Sequence, residues 1–292
     1  MPSTREIRRR IRSVENTAKI TNAVQLVAAS KMRRAQLRAE AARPYAESMR
    51  GLLANLADAG GDADSESLHP LLERREVQET AIILITPDRG LAGGLISNLQ
   101  RHAGSLVLSP DQAGGISMVP VGRKGLDYFS RFDVPFRGEF QQLGDYPGLD
   151  DTRPISRIVI DDYMSGAVDQ VSLVYASFVS TVQQRPTTIQ LLPVEAPVAE
   201  SAEAGSEVEY IFEPSPEAVL DELLPRYVEM QVYQAVLESA ASEQSARMVA
   251  MRNATDAAND MLGDLTLQYN KARQEQITSE LLDIVGGVEA MA

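Results

Sequence analysis

A glycine-rich segment, residues 88–94 (DRGLAGG), contains the residue types that come nearest to chemistry in this sequence. It follows a short apolar run, and a glycine-rich turn between a strand and a helix can hold a phosphate on its backbone N–H groups. The segment has neither G-x-x-x-x-G-K-S/T nor G-x-G-x-x-G, the spacings that nucleotide-binding loops use. Its residues therefore favour a tight turn with close backbone packing. A phosphate-handling enzyme site stays open as the alternative.

Other residues that carry catalysis or bind metals are scarce. The chain has no cysteine, which excludes thiol catalysis, disulfide bonds and Cys-ligated metal sites. Its two histidines, His69 and His102, have no second plausible ligand nearby in the sequence. The remaining candidates are interpreted as helix packing or surface charge: Met248, Met251, Met261, Asp150, Asp151, Asp161 and Asp162. We therefore predict no catalytic residue, no metal and no cofactor.

The charge of the chain is divided unevenly. The 292 residues carry a net charge of −13, but residues 1–40 hold ten Lys/Arg and three acids and so stand at +7. This asymmetry predicts that the basic arm meets an acidic partner. A solvated basic helix face is one alternative, and a mitochondrial presequence is another, although no cleavage-like break interrupts the arm. Nucleic-acid binding is not predicted, because the whole chain is acidic and no recognisable nucleic-acid fold accompanies the charge.

The element that must position this basic arm is a long helix from Ser3 to about Leu56. Apolar residues recur in it at spacings of three and four, which is typical of an amphipathic helix. They are Ile7, Ile11, Val14 and Ala18, and Val24, Val27 and Met32 continue the apolar stripe. Small residues at 28–30 would let another helix approach closely, and Pro44 is expected to bend or weaken the helix locally.

The middle of the chain alternates strands with helices. Strands are predicted at residues 80–86, 116–121, 171–182 and 187–194, and helices at 95–103, 124–131 and 155–165. The first of these strands is Ile-rich and continuous, as is typical of a strand that is buried on both faces. This alternation predicts a small α/β domain. Low-complexity stretches at 59–66 and 195–206 are expected to be a linker and a surface loop.

The C-terminal segment is predicted to be a second long helix. Ser215 and Pro216 form a helix start, and a heptad stripe follows, made of Met248, Met251, Thr255, Ala258, Leu262, Leu265 and Tyr269. A further stripe, with a one-residue phase slip, consists of Ile277, Leu281, Ile284 and Val288. The apolar stripes of both helices are buried if the helices wind about each other as an antiparallel coiled coil. Two separate coiled-coil dimers are the alternative.

The predicted fold class is therefore α/β: a long antiparallel coiled coil of the N- and C-terminal helices plus a central Rossmann-like α/β domain. Its boundaries are expected as follows: a helix at 1–57, a linker at 58–76, the α/β domain at 77–195, a loop at 196–214 and a helix at 215–292. No apolar stretch approaches the roughly 20 residues that span a bilayer, so direct membrane insertion is not expected.

Three motifs, in order along the chain, resemble the gamma subunit of F-type ATP synthases. They are IRRRIRSVENTAKITNAVQLVAASKMRRAQ at 7–36, TPDRGLAGGL at 86–95 and the run SEQSARM…DIVGG at 242–287. The last includes an ITxExxD-type pattern from Ile277 to Asp283. The chain departs from the family pattern at Ala92, commonly Cys, at Ile96, commonly Asn, and at Val288, usually Ala. The Cys-bearing insertion of chloroplast relatives is absent, which indicates a bacterial type without thiol control.

The resemblance implies a rotating central shaft. It would turn inside three alpha and three beta subunits, fixed to the membrane ring of c subunits with the epsilon subunit, and couple proton flow to catalytic sites on beta. The shaft itself would be non-catalytic and peripheral, at the cytoplasmic face of a bacterial cell membrane.

The resemblance also implies contact residues. Those expected to meet alpha and beta are Lys31, Arg33, Arg34, Arg273, Gln274 and Thr278. The turn residues Asp88, Arg89 and Gly90 are expected to contact the rotor ring or epsilon. An ordinary polar helix surface is the alternative for both helical sets.

Overall fold

A computed structural model describes residues 3–59, 69–108, 114–195 and 215–289. Its contacts divide the chain into two units, one of Met1–Ala28 with Arg247–Ala292 and the other of Ala29–Ala246. Two long helices contribute residues to both units: α1, Thr4–Ala59, and the last helix of the chain, α5, Pro216–Glu289. Helix α1 continues through Pro44 to Ala59. The predicted loop at 196–214 and residues 60–66 of the predicted linker lie outside the described residues.

The first unit is a pair of antiparallel helices. Three side-chain contacts join them: Thr4 Oγ1 to Gln276 Oε1 at 3.1 Å, Arg8 to Tyr269, and Thr21 Oγ1 to Thr255 Oγ1 at 2.6 Å. Partner numbers on α5 fall as those on α1 rise, so the two helices run in opposite directions. The predicted antiparallel coiled coil is confirmed.

The seam of this pair follows the predicted heptads on α5. Met251 and Ala258 are buried, and the other members of that stripe are half-buried. On α1 the stripe differs after Ala18, because Val27 is 55% exposed while Thr21 and Ala28 are buried. A strict alternation of steps of three and four leads from Ala18 through Thr21 to Ala28, so the inclusion of Val27 was wrong.

The predicted phase slip near the end of α5 is also wrong. The seam continues in register through the half-buried Ala272 to Gln276, while Ile277, Leu281 and Ile284 are 48%, 57% and 64% exposed. The physical reason is that helix α1 begins at Thr4, which contacts Gln276. Beyond that point α5 has no turn of α1 to pack against. The side chain of Val288 is not among those that the structure describes. Met261, which the sequence predicted to pack in the seam, is 52% exposed.

The second unit is built on a four-stranded mixed sheet in the order β2-β1-β3-β4. Its strands are β1, Glu79–Ile85; β2, Gly115–Val121; β3, Gln170–Phe178; and β4, Gln184–Leu192. Strand β1 pairs in parallel with both β2 and β3, and β4 runs antiparallel to β3. Three further helices belong to this unit: α2, Leu95–Val107; α3, Arg123–Phe129; and α4, Leu149–Met164.

Apolar layers cover both faces of the sheet. On one face, Ile83 and Leu173 pack with α4 residues such as Val159 and with Leu224 and Val228 of α5. The other face forms a second cluster, which includes Ile82, Leu84, Met118, Leu99 and Phe129. Alternate residues of β1 thus enter opposite cores, as a continuous apolar strand requires.

Three element boundaries differ from the predicted ones by four residues or more, and one of them is the end of α2, which lies at Val107 rather than at residue 103. Strand β3 ends at Phe178 rather than at residue 182, because Ser180 and Gln183 exchange backbone hydrogen bonds and close a tight turn. Helix α4 begins at Leu149 rather than at residue 155. The carboxylate of Asp151 accepts the Gly148 N–H at 2.7 Å, which supplies the helix start that the sequence pattern did not reveal.

Candidate partner-contact surfaces

The DRGLAGG turn joins the carboxyl end of β1 to α2, and Asp88 holds it in place. Its Oδ1 accepts the Arg123 N–H at 2.8 Å, and its Oδ2 accepts the Gln142 N–H at 3.0 Å. The carbonyl of Pro87 accepts the Lys124 N–H at 3.1 Å. Asp88 therefore fastens the start of α3 and the segment before α4 to the turn, a role that uses both carboxylate oxygens.

The remaining residues of the turn are either exposed to solvent or packed into the core. Arg89 is exposed, and Leu91 is 69% exposed with a φ of 65°. A leucine in this left-handed conformation costs about 1 kcal/mol. Ala92, in contrast, is fully buried against the second core. The turn thus presents Arg89 and Leu91 as a protruding contact point.

A cleft of about 460 Å³ lies beside this turn. Its charged lining is balanced, with the bases Lys31, Arg89 and Arg123 facing the acids Asp88, Asp145 and Glu243. A phosphate site needs a surplus of N–H groups and positive charge. This balance does not favour the phosphate-handling interpretation of the segment.

The basic residues of α1 are split between two sides of the helix. Lys31 Nζ lies 2.7 Å from Asp145 Oδ2, and Arg34 Nη1 donates to the Tyr146 hydroxyl at 3.0 Å. The Arg38 guanidinium stands 4.8 Å from the centre of the Tyr146 ring. Residues 31, 34 and 38 share one side of a helix, and we call Lys31, Arg34 and Arg38 the cationic face.

Arg33 lies on a different side of α1. It is two residues from Lys31, about 200° around the helix, and it is exposed. The sequence grouped Arg33 with Lys31 and Arg34, whereas the structure brings Asp145 and Tyr146 to two of the three. Sequence reasoning missed Asp145 and Tyr146, because residues more than a hundred positions apart carry no spacing signal. It also missed Arg38, which the helical spacing from Lys31 and Arg34 could have found.

The predicted contact residues of α5 lie near its free end. Arg273, Gln274 and Thr278 are all exposed. Thr278 Oγ1 donates to the Gln274 carbonyl at 2.9 Å, which leaves its oxygen able to accept from a partner. Next to them is a group of exposed large apolar residues, which we call the apolar end: Ile277, Leu281, Leu282, Ile284 and Val285.

Three titratable side chains of the second unit, His69, Tyr163 and Tyr175, have pKa values that are shifted mainly by burial. Burial lowers the pKa of His69, and the nearby Asp221 carboxylate opposes that shift. Burial also raises the pKa of Tyr175 to about 12, with Glu238 acting in the same direction. Within the described ranges no three His, Asp or Glu side chains are grouped to hold a metal ion.

Membrane-spanning helices are not found either: none of the helices in the described ranges combines the length and apolarity needed to cross a bilayer. The fold and these surfaces define a protein of paired terminal helices and an α/β domain, which offers contact surfaces on both. That is the class of an interaction subunit with a helical stalk.

Known proteins of this class match over the full length of the chain. The ATP synthase family model matches residues 3–291. The ATP synthase gamma chain of Dehalococcoides mccartyi is 55% identical, and that of Chloroflexus aurantiacus is 48% identical. These matches cover all of this chain and 100% and 99%, respectively, of the relatives. The chain belongs to the ATP synthase gamma chain family.

A solved structure agrees with this assignment. A chain in the central stalk and c-ring structure of the Tetrahymena thermophila mitochondrial ATP synthase is 27% identical, with a TM-score of 0.61. The match covers 80% of this chain and 99% of that one.

Proposed function

We propose that this chain is the central-stalk gamma subunit of a proton-translocating F-type ATP synthase. In this role it rotates inside a ring of three alpha and three beta subunits and couples proton flow to catalytic sites on beta. The observation that carries the proposal is the apolar end of α5, which extends beyond the start of α1 and leaves five large apolar side chains exposed.

The apolar end has the properties of a surface that a partner encloses. Its five side chains spread over about 160° of the helix circumference, much wider than a two-helix seam. They are 48–66% exposed, so burial of the remaining surface would gain on the order of 1–2 kcal/mol for each side chain. A partner that surrounds the helix end would cover such a surface, and a ring of alpha and beta subunits has that geometry.

Polar contacts are assigned to both long helices. Arg273, Gln274 and Thr278, beside the apolar end, donate or accept hydrogen bonds to loops of alpha and beta. Lys31, Arg33 and Arg34 face acidic loops of beta. Exposed charge pairs of this kind are worth under about 1 kcal/mol and are screened by salt, so a rotor can pass three equivalent partners without becoming trapped.

The turn of the α/β domain contacts subunits other than alpha and beta. Asp88 holds the turn from inside, while Arg89 and Gly90 contact the epsilon subunit or the ring of c subunits. The chain is non-catalytic and binds no cofactor. It is peripheral, at the cytoplasmic face of a bacterial cell membrane, and reaches the membrane through the ring. The Tetrahymena mitochondrial relative, described with its central stalk and c-ring, supports the proposed contact with the ring.

Native mass spectrometry of the chain mixed with alpha and beta subunits tests the proposal, with ATPase activity read in parallel. We expect one copy of this chain per three alpha and three beta, and ATP turnover only in the assembly. The proposal would be contradicted if the chain formed coiled-coil dimers and did not bind alpha and beta. Nucleotide turnover by the isolated chain would contradict it as well.

A further inference from the structure

The loop at residues 141–147 places an acid and an aromatic ring on the cationic face of α1. Asp145 pairs with Lys31 at 2.7 Å, and Tyr146 receives a hydrogen bond from Arg34 at 3.0 Å. The Tyr146 ring also lies within 6 Å of the Arg34 and Arg38 guanidinium groups, close enough for cation–π attraction. All three members of the cationic face thus have a partner in their own chain.

The two ends of this loop are held by the α/β domain. At one end the Gln142 N–H is held by Asp88, and at the other Pro147 is buried just before α4. Gln142 and Gly144 take left-handed φ values of 58° and 83°, which give the loop its shape. The loop therefore presents Asp145 and Tyr146 from a fixed base on the α/β domain.

The contacts themselves are weak enough to exchange. The Lys31 and Asp145 side chains are 26% and 46% exposed, and Tyr146 is 38% exposed. Exposed pairs of this kind change an equilibrium by about two- to fivefold and are screened by salt. Such contacts would make a poor brace between α1 and the α/β domain, but another carboxylate could readily replace them.

We propose that Asp145, as an in-chain counter-charge, and Tyr146, as a neutral hydrogen-bond and cation–π partner, compete with acidic protein surfaces for Lys31, Arg34 and Arg38. This inference rests on the proposed function, in which acidic loops meet the basic helix. No acid among the described residues is paired with the exposed Arg33, so a carboxylate that approaches there meets no such competitor, whereas at Lys31 it competes with Asp145. The loop thereby limits how tightly the rotor is held at each partner.

Fluorescence anisotropy with the full-length chain and a fluorescein-labelled deca-glutamate peptide tests the competition at low salt. The Asp145→Asn substitution is expected to tighten peptide binding about two- to fivefold. Glu139→Gln is the matched control, because Glu139 is also exposed, lies six residues away in the chain and gives the same net charge. Equal tightening by both substitutions would reduce the effect to net charge and overturn the proposal.

A double-mutant cycle locates the competition on the helix. Adding Asp145→Asn to a Lys31→Gln chain is expected to change peptide affinity less than 1.5-fold, as a rough bound, because the contested cation is gone. Adding it to an Arg33→Gln chain is expected to keep the full two- to fivefold gain, roughly, because Arg33 lies elsewhere on α1. An equal gain in both backgrounds would overturn the proposal.

Thermal unfolding and subunit assembly distinguish competition by Asp145 from a bracing role and from an incorrect subunit assignment. If Asp145 is a brace, Asp145→Asn lowers the thermal unfolding temperature by several degrees without tightening the peptide, and the proposal fails. Assembly of the Asp145→Asn chain with alpha and beta, read by native mass spectrometry, tests the subunit assignment separately. Normal assembly together with no peptide effect overturns the competition alone, whereas no assembly even of the unmodified chain overturns the proposed function.

Discussion

His69 shows how a single buried side chain can make this fold sensitive to pH. It is only 6% exposed, its Nδ1 accepts the Leu71 N–H at 3.0 Å, and its Nε2 lies 3.4 Å from Asp221 Oδ1. An accepting Nδ1 requires the neutral ring with its proton on Nε2. The bond fixes the turn that inserts Leu71, which is fully buried, into the first core.

The pKa of His69 predicts an acid-sensitive stability. Burial lowers its folded-state pKa below the ordinary value of 6.5, so the unfolded chain binds more protons as pH falls through that value. The free energy of unfolding should therefore fall below about pH 6.5 and stay level above it. Thermal unfolding at pH 7.5 and 5.5 measures this.

A His69→Asn chain is the matched comparison for that measurement. The Asn side-chain oxygen can still accept the Leu71 N–H but does not titrate. Its unfolding temperature should fall less between the two pH values than that of the unmodified chain. The same fall in both chains would assign the acid sensitivity to other groups.

At the scale of elements, the two heptad stripes set which methionines contribute to stability. Met251 lies in the seam and is 7% exposed, whereas Met261, on the same helix, is 52% exposed. Both residues are methionines inside the same helix, so their helix propensity is the same and burial is the main difference between them.

Replacing each of these methionines by alanine should therefore separate the effect of burial on stability from the effect of the residue type. Met251→Ala is expected to lower the local unfolding free energy by about 2 kcal/mol, because it leaves a cavity in the seam. Met261→Ala should change it by less than about 0.5 kcal/mol. Native-state hydrogen exchange of α5 amides near each site measures both. Similar losses at the two positions would mean that the described seam is not the one that stabilises the pair.

At the scale of the whole molecule, the unequal ends of α1 and α5 determine where each kind of contact can form. Thr4 and Arg8 of α1 still have partners on α5, at Gln276 and Tyr269. The residues that follow Gln276 face solvent up to Val285. The helix pair and the proposed partner contact therefore use adjacent but separate stretches of α5.

Two truncations test this separation. A chain that ends after Gln276 should keep the hydrogen-exchange protection of residues 4–28 but assemble less, or pump protons less per ATP hydrolysed, in the alpha–beta complex. A chain that ends after Gln268 should also lose protection at residues 4–12, because Tyr269 and Gln276 are gone. Loss of protection in the longer of the two chains would mean that the apolar end stabilises the helix pair itself.

Local patterns alone determined much of this protein. The steps of three and four along both ends, and the Ile-rich run of β1, follow from the geometry of one helix or one strand. The sequence therefore predicted two long helices that pair in antiparallel orientation, and an α/β domain between them in the chain. Ser3 and Thr4 also marked the start of α1 within one residue.

The tertiary structure alone decided what depends on distant residues meeting. Where the seam ends depends on the start of α1 against Gln276, so the exposure of Ile277 and Leu281 could not be read from their own spacing. Likewise, helical spacing puts Lys31 and Arg33 on different sides of α1, but which of the two sides meets an acid was decided by the return of Asp145 to Lys31. A periodic pattern specifies which side of an element is apolar, but the residue that packs against that side is fixed only by the folded chain.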